Sequence, residues 1–112
     1  MVLLAHRNII LERWFVPSCF VMYIALRVAL LVSIPIDQHS DALWYFNRGV
    51  GIAMGEGYSE RGIPTAYWPV GWPGVLGLLF SIFGPFPIVG QIANIAFSAA
   101  IFILTLHLGS NI

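Results

Sequence analysis

Apolar residues fill three long stretches of the chain, and a polar stretch separates the first from the second. The first, residues 14–36, would cover a hydrocarbon core of about 30 Å as a helix. The third, residues 88–108, has no formal charge and contains Gly, Ala and Ser suited to close helix packing. The second, residues 68–83, is shorter, roughly 24 Å if fully helical. The pattern predicts three membrane helices, with the last two joined as an antiparallel hairpin by the Gly- and Pro-containing residues 84–87.

The polar stretch, residues 37–67, contains a pattern typical of one amphipathic helix from about residue 41 to residue 54. Ser40 is a residue type that caps helix N-termini, and Gly55 would end the helix. Helical spacing gives the helix an apolar face and a polar face. The apolar face holds Leu43, Phe46, Val50 and Ala53, and the polar face holds Asp41, Tyr45 and Arg48. We expect this helix to lie along the membrane surface, with its polar face toward water.

Composition supports an integral membrane protein, because 59% of the residues are hydrophobic, only 9% are charged and the mean hydropathy is +0.86. The formal net charge is zero and Lys is absent, so the chain has no basic surface for nucleic acid. Two arginines precede the first apolar stretch and two follow it, so the positive-inside rule favours neither orientation of the first helix. The acids interleaved with the later arginines only slightly favour a cytoplasmic amino terminus, residues 1–13, and an extracytoplasmic polar loop.

Two charged residues are candidates for chemistry on physical grounds alone. Asp41, in the first turn of the predicted surface helix, is as compatible with a helix-capping role as with a functional one. Arg27 lies near the middle of the first membrane helix, where a charge is costly, and it could bind a lipid-linked phosphate or pair with an acid or a carbonyl inside the bundle. His39 lies between Asp37 and Asp41, which is a weak metal-binding pattern.

Four short strings give the chain a family resemblance. They are DALWY at 41–45, GEGY at 55–58, GIPTAYWPVGWP at 62–73 and FG at 83–84. Together they resemble the first extracytoplasmic loop of GT-C membrane glycosyltransferases. The likeness is closest to the bacterial branch related to dolichyl-phosphate-mannose protein mannosyltransferases and lipid A aminoarabinose transferases. It covers residues 14–108 but only the amino-terminal part of a family enzyme, so we expect this chain to be one incomplete membrane domain, inactive alone.

The resemblance implies an all-α, polytopic membrane fold in the bacterial inner membrane. It also implies transfer of a sugar from a polyprenyl-phosphate donor to an acceptor hydroxyl that the sequence does not identify. Asp41 matches the family's functional acid, as catalytic base or as a ligand of a divalent ion such as Mg²⁺ or Mn²⁺, with Asp37 as runner-up. Tyr45, Arg48 and Arg27 are the expected substrate-binding residues.

One departure from the family affects the expected substrate. The aminoarabinose branch has Lys-Pro-Pro where this chain has Trp68, Pro69 and Val70, so no phosphate contact can be assigned to that Lys. The alternative to an enzyme is a small non-catalytic membrane protein that acts as a subunit or assembly partner.

Overall fold

The structure is a computed structural model, and it describes the backbone of residues 2–110 and the side chains of residues 13–110. Four helices and one small hairpin follow in chain order: α1 (Val2–Ser33), α2 (Ser40–Ala53), β1 (Ser59–Glu60), β2 (Ile63–Pro64), α3 (Gly71–Phe83) and α4 (Pro87–Ser110). The predicted helical class is confirmed, and the β1–β2 hairpin, with two residues in each strand, is a small addition to it. The chain divides into two compact units, Ile36–Asn94 and the described parts of Met1–Pro35 with Ile95–Ile112.

Two of the helices are long and apolar enough to cross a membrane. The qualifying segments are Arg13–Ser33, with a mean hydropathy of 2.1, and Pro87–Ser110, with a mean hydropathy of 1.9. Both are consistent with a membrane protein. Helix α3 is apolar but has only 13 residues, about 20 Å, which is short for a full span. Three membrane crossings therefore remain a prediction.

The ends of α1 differ from the predicted bounds of 14 and 36. The helix begins at Val2, so Pro17 lies inside it. A proline there removes one backbone hydrogen bond, which membrane helices can tolerate. The helix ends at Ser33 because Pro35 disfavours helical geometry at the residue before it. The side chain of Arg7, one of the two arginines counted before the first apolar stretch, lies outside the described side chains.

Helix α2 packs against α3 through close-approach glycines. A Cβ at Gly49 would lie 2.7 Å from the Leu76 Cβ, and a Cβ at Gly77 would lie 2.5 Å from the Ile52 Cγ2. The rings of Phe46 and Phe80 meet at a centroid distance of 5.2 Å. The core of this unit consists of Pro73, Leu76 and Phe80. Of the four residues on the predicted apolar face of α2, Phe46 meets α3, whereas Leu43 is 43% exposed. The contact with α3 also runs through Gly49 and Ile52, which the apolar pattern did not include. The position of α2 along the membrane surface stays a prediction.

The two ends of α2 are built differently. At the start, the N-cap is His39 without a side-chain cap bond, so the prediction of Ser40 as the cap was wrong. Ser40 is the first helical residue, with a φ of 51°. At the other end, the Gly55 amide donates to the Ile52 carbonyl (3.1 Å) and the Glu56 amide to the Gly51 carbonyl (2.9 Å). These two bonds and the positive φ of Gly55 form a Schellman motif, so the predicted stop at Gly55 is confirmed.

The β1–β2 hairpin folds where the sequence indicated only a loop. Ser59 pairs with Pro64 and Glu60 with Ile63, so two residues, Arg61 and Gly62, make the turn. Both have positive φ, 52° and 79°, as a type I′ hairpin turn requires. The hairpin returns the chain from the end of α2 toward the start of α3.

Candidate functional site

The candidate carboxylates lie just before and at the start of α2. Asp41 is exposed in the first turn, and the Ser40 hydroxyl lies within hydrogen-bond distance of its Oδ1 (3.3 Å). Asp37 Oδ2 is instead 2.9 Å from His39 Nε2, an exposed pair of the kind that contributes little to stability. Of the two predicted acids, Asp41 is the one whose carboxylate has no cationic side chain within salt-bridge distance among residues 13–110.

The position of Asp41 suits an ionised group. The first turn of a helix exposes backbone N–H groups and the positive end of the helix dipole, which attract negative charge. Because α2 is fixed on α3 by the contacts at Gly49 and Gly77, the carboxylate projects from a supported helix end.

Arg48 contacts the β1–β2 hairpin. The sequence had predicted instead that it faces water together with Asp41. Its guanidinium donates to the Ser59 carbonyl in β1, and its central carbon lies 5.5 Å from the centroid of the Trp44 ring. The side chain is half-buried, and its Nε atom has no hydrogen-bond partner within the described side chains. The arginine therefore ties β1 to α2, and one of its N–H groups remains unsatisfied.

Tyr45 joins a group of rings between α2 and α3, which we call the aromatic cluster: Trp44, Tyr45, Tyr58, Tyr67 and Trp68. Neighbouring centroids are 5.4 to 6.5 Å apart, in edge-to-face geometry. The Tyr58 hydroxyl donates to the Trp68 carbonyl at 2.6 Å. Burial raises the pKa of Tyr58 above its ordinary value; nearby Tyr45 adds to the rise, and Arg48 opposes it. Tyr45 is thus half-buried among rings, where the sequence placed it toward water.

Arg27, the third expected substrate-binding residue, belongs to the other compact unit. Its guanidinium carbon is 5.3 Å from the centroid of the Tyr23 ring, and Tyr23 stacks on Phe102 of α4 at 5.9 Å. A cation over an aromatic face is stabilised without an acidic partner. The sequence left open a pairing with an acid or a carbonyl as the alternative to phosphate binding, and this ring contact is neither of them.

The described side chains form no preassembled metal centre. Residues 13–110 bring together no group of three His, Cys, Asp or Glu side chains that could hold an ion. Mg²⁺ is often held by only one or two carboxylates together with substrate phosphates and water. Asp41 could supply one such ligand, and the protein offers no preassembled cage in the part of the chain that is described.

A cavity of about 130 Å³ lies where α2, α3 and the first turns of α4 meet. Buried Leu76 and Phe80 form part of its wall, and exposed Gln91 and Asn94 stand at its rim. Gln38, just before α2, also lines it, and its Oε1 is buried without a hydrogen-bond partner among the described residues. Sequence reasoning missed these three amides. The pattern that could have found two of them is the i, i+3 spacing of Gln91 and Asn94 on an otherwise apolar helix.

No family model matches the chain, and no curated protein or solved structure is significantly similar to it.

Proposed function

We propose that this chain is part of a polytopic membrane glycosyltransferase that transfers a sugar from a polyprenyl-phosphate donor to an acceptor hydroxyl. The proposal rests on the resemblance of the segment between residues 41 and 84 to the first loop of GT-C enzymes. The observation that carries it is the placement of Asp41, an exposed carboxylate without a cationic partner among the described side chains, at the start of a helix fixed on α3. Supported elements of this kind hold reacting groups more accurately than free loops.

In the proposed reaction, the acceptor oxygen attacks the anomeric carbon of the donor sugar. Its proton passes to the Asp41 carboxylate, a glycosidic C–O bond forms, and the bond between the anomeric carbon and the phosphate oxygen breaks. The electron pair of that bond leaves with the polyprenyl phosphate. A carboxylate at a helix N-terminus is a weak base, so removal of water around the bound substrates would strengthen it.

The developing charge on the leaving phosphate needs a cation. Mg²⁺ or Mn²⁺ would supply this charge when bound. Asp41 is the candidate ligand of the ion only as the alternative to its role as base, because one carboxylate would not both take the proton and hold the ion. Arg27 is a further candidate for the lipid-linked phosphate, since its guanidinium has an aromatic contact and no salt bridge among residues 13–110. Arg48 is assigned a positioning role, because it holds the hairpin beside the aromatic cluster.

The membrane arrangement follows from the same proposal. If residues 68–70 extended α3 as helix, the segment would reach roughly 24 Å. Local thinning of the bilayer would then let α3 cross the membrane between α1 and α4. The polar segment between α1 and α3 then lies outside the cytoplasm, the amino terminus lies in the cytoplasm, and the membrane is the bacterial inner membrane.

The test compares two carboxamide variants in native membranes, in the natural reading frame that contains this chain, with the membranes supplying the acceptor. Release of polyprenyl phosphate from a polyprenyl-phosphate hexose is measured for Asp41→Asn and for the matched control Asp37→Asn. We expect a loss of roughly 10²- to 10⁴-fold for Asp41→Asn, the usual contribution of a general base, and near-normal release for the control. Normal turnover in Asp41→Asn would remove this residue from the catalytic role.

A non-catalytic membrane subunit is the second candidate, and one observation favours it. Helix α3 exposes Leu78 and Ile82 on the side away from its buried core residues, a surface that another membrane protein could cover. If donor turnover is absent in membranes that contain the protein and the chain co-purifies in fixed stoichiometry with another membrane protein, this candidate replaces the enzyme.

A further inference from the structure

We propose that the cavity at Gln38, Gln91 and Asn94 binds an uncharged polyhydroxyl group. Nothing in the resemblance assigns a role to these three amides. The identification of the ligand with a sugar rests on the proposed function, whereas the binding chemistry rests on the cavity alone.

The lining of the cavity determines what charge a ligand can carry. Its polar side chains are carboxamides and the indole of Trp72, and none of the Asp, Glu, Arg or His side chains among residues 13–110 lines it. An ionic ligand would lose hydration there without gaining an opposite charge, which is unfavourable. The cavity therefore favours a neutral ligand.

The buried Gln38 Oε1 determines the hydrogen-bonding character of that ligand. A carboxamide oxygen can only accept, and this one has no donor within the described side chains. A purely apolar ligand would leave it unsatisfied, whereas a hydroxyl group would donate to it. The amides at the rim, Gln91 and Asn94, can both donate to and accept from further hydroxyls of the same ligand.

The remaining wall explains why the hydroxyls should be carried on a compact carbon skeleton. Phe46, Trp72 and Phe80 present aromatic surface to the cavity beside the amides. Such a site combines apolar contact with a few placed polar groups, as small-ligand sites generally do. A polyol has both characters, because its C–H groups can meet the rings while its hydroxyls meet the amides.

Two sources could supply such a group, a sugar or the glycerol end of an uncharged lipid. Both would be tested on the full chain in phosphatidylcholine nanodiscs, with the side-chain amide signals of Gln38, Gln91 and Asn94 followed by NMR. One arm adds methyl α-D-mannopyranoside, and the other compares discs with and without diacylglycerol. We expect saturable shifts at these amides in one arm, with the Asn47 amide, exposed on α2 and outside the cavity lining, unchanged.

Variants make the result specific to the cavity. Gln38→Met keeps the length of the side chain but removes the acceptor, and it should weaken binding about tenfold or more. Gln91→Leu at the exposed rim should also weaken binding, and it guards against misfolding of the Gln38 variant. The matched control Asn47→Leu should bind as the natural chain does. The proposal would be overturned if both cavity variants kept their affinity. It would also be overturned if neither probe gave a saturable shift, because then only water occupies the cavity.

The two proposals can fail separately. Asp41→Asn should retain polyol binding, because Asp41 does not line the cavity. Binding without any Asp41-dependent transfer would refute the glycosyltransferase and leave the cavity site in place. Asp41-dependent transfer without polyol binding would refute only the cavity site.

Discussion

Gly77 is the residue at which α3 approaches α2 most closely, so its replacement by Ala tests the packing of the two helices directly. The new Cβ would lie 2.5 Å from Ile52 Cγ2 and 2.7 Å from Ile52 Cβ. Favourable carbon–carbon contacts lie near 3.5–4.0 Å, so the two helices would have to separate by about 1 Å. Ile52 cannot easily turn away, because its side chain is β-branched and its Cβ is fixed to the backbone.

The expected cost follows from two opposing terms. Inserting a methyl group into a well-packed contact costs about 1–3 kcal/mol. Replacing a helical Gly by Ala gains about 0.5–1 kcal/mol, because the unfolded chain loses freedom. Since the clash at Gly77 involves backbone-fixed atoms, we expect the upper part of the first range and a net loss of roughly 1–2 kcal/mol. That loss corresponds to about a 5- to 30-fold change in the open population.

Native-state hydrogen exchange of the α2 amides in nanodiscs measures this change, because opening of the α2–α3 contact exposes them. Gly74→Ala is the matched control, as it lies on the same helix with nothing within 4 Å of its added Cβ. It should increase protection, while Gly77→Ala should decrease it. Adding Ile52→Ala to Gly77→Ala removes the Cγ2 clash but retains the Cβ clash, so protection should recover only in part. Equal gains from both Gly variants would refute the packing of α2 on α3.

Four further substitutions test other parts of this unit. Tyr58→Phe removes the bond to the Trp68 carbonyl and should cost about 0.5–1.5 kcal/mol in denaturant unfolding. Because the folded state raises the pKa of Tyr58, the stability that its neutral phenol contributes is complete below about pH 10. This stability is lost as the pH rises through the folded pKa, and the Phe variant should lack that loss. Arg61→Asn should slow exchange in the hairpin by relieving positive φ at a residue other than Gly, while Gly62→Ala should accelerate it. Phe80→Ala should cost about 3–5 kcal/mol in the same unfolding assay, because the Phe80 side chain is only 3% exposed.

The features that the sequence predicted well depend on local information. A run of apolar residues defines α4 to within two residues at each end, since its composition alone makes any other structure unfavourable in a membrane. Gly55 marks the end of α2 because only a residue that tolerates positive φ closes a Schellman motif easily. Pro35 shortens α1 by a local steric rule that the length of the apolar run conceals.

The hairpin and the packing face of α2 were missed for different reasons. Arg61 is an unusual first residue for a type I′ turn, so the composition of the segment did not indicate two strands. Gly49 is buried at the centre of the α2–α3 contact, yet a pattern based on large apolar side chains gives a glycine no weight. Close packing was encoded there by the absence of a side chain.

Asp41 and Arg48 show what helical periodicity can and cannot establish about the site. Residues seven apart lie on nearly the same side of a helix, and this spacing predicted a shared polar face. In the structure, Asp41 at the start of α2 is exposed, whereas Arg48 further along is covered by the β1–β2 hairpin and bonded to it. Periodicity gives the direction of a side chain around the helix axis, and the tertiary fold determines which part of that side remains open. On the side of α2 shared by these two residues, the amino-terminal turn is exposed and Arg48 is half-buried, so a solute that reaches this side from solution meets the Asp41 carboxylate first.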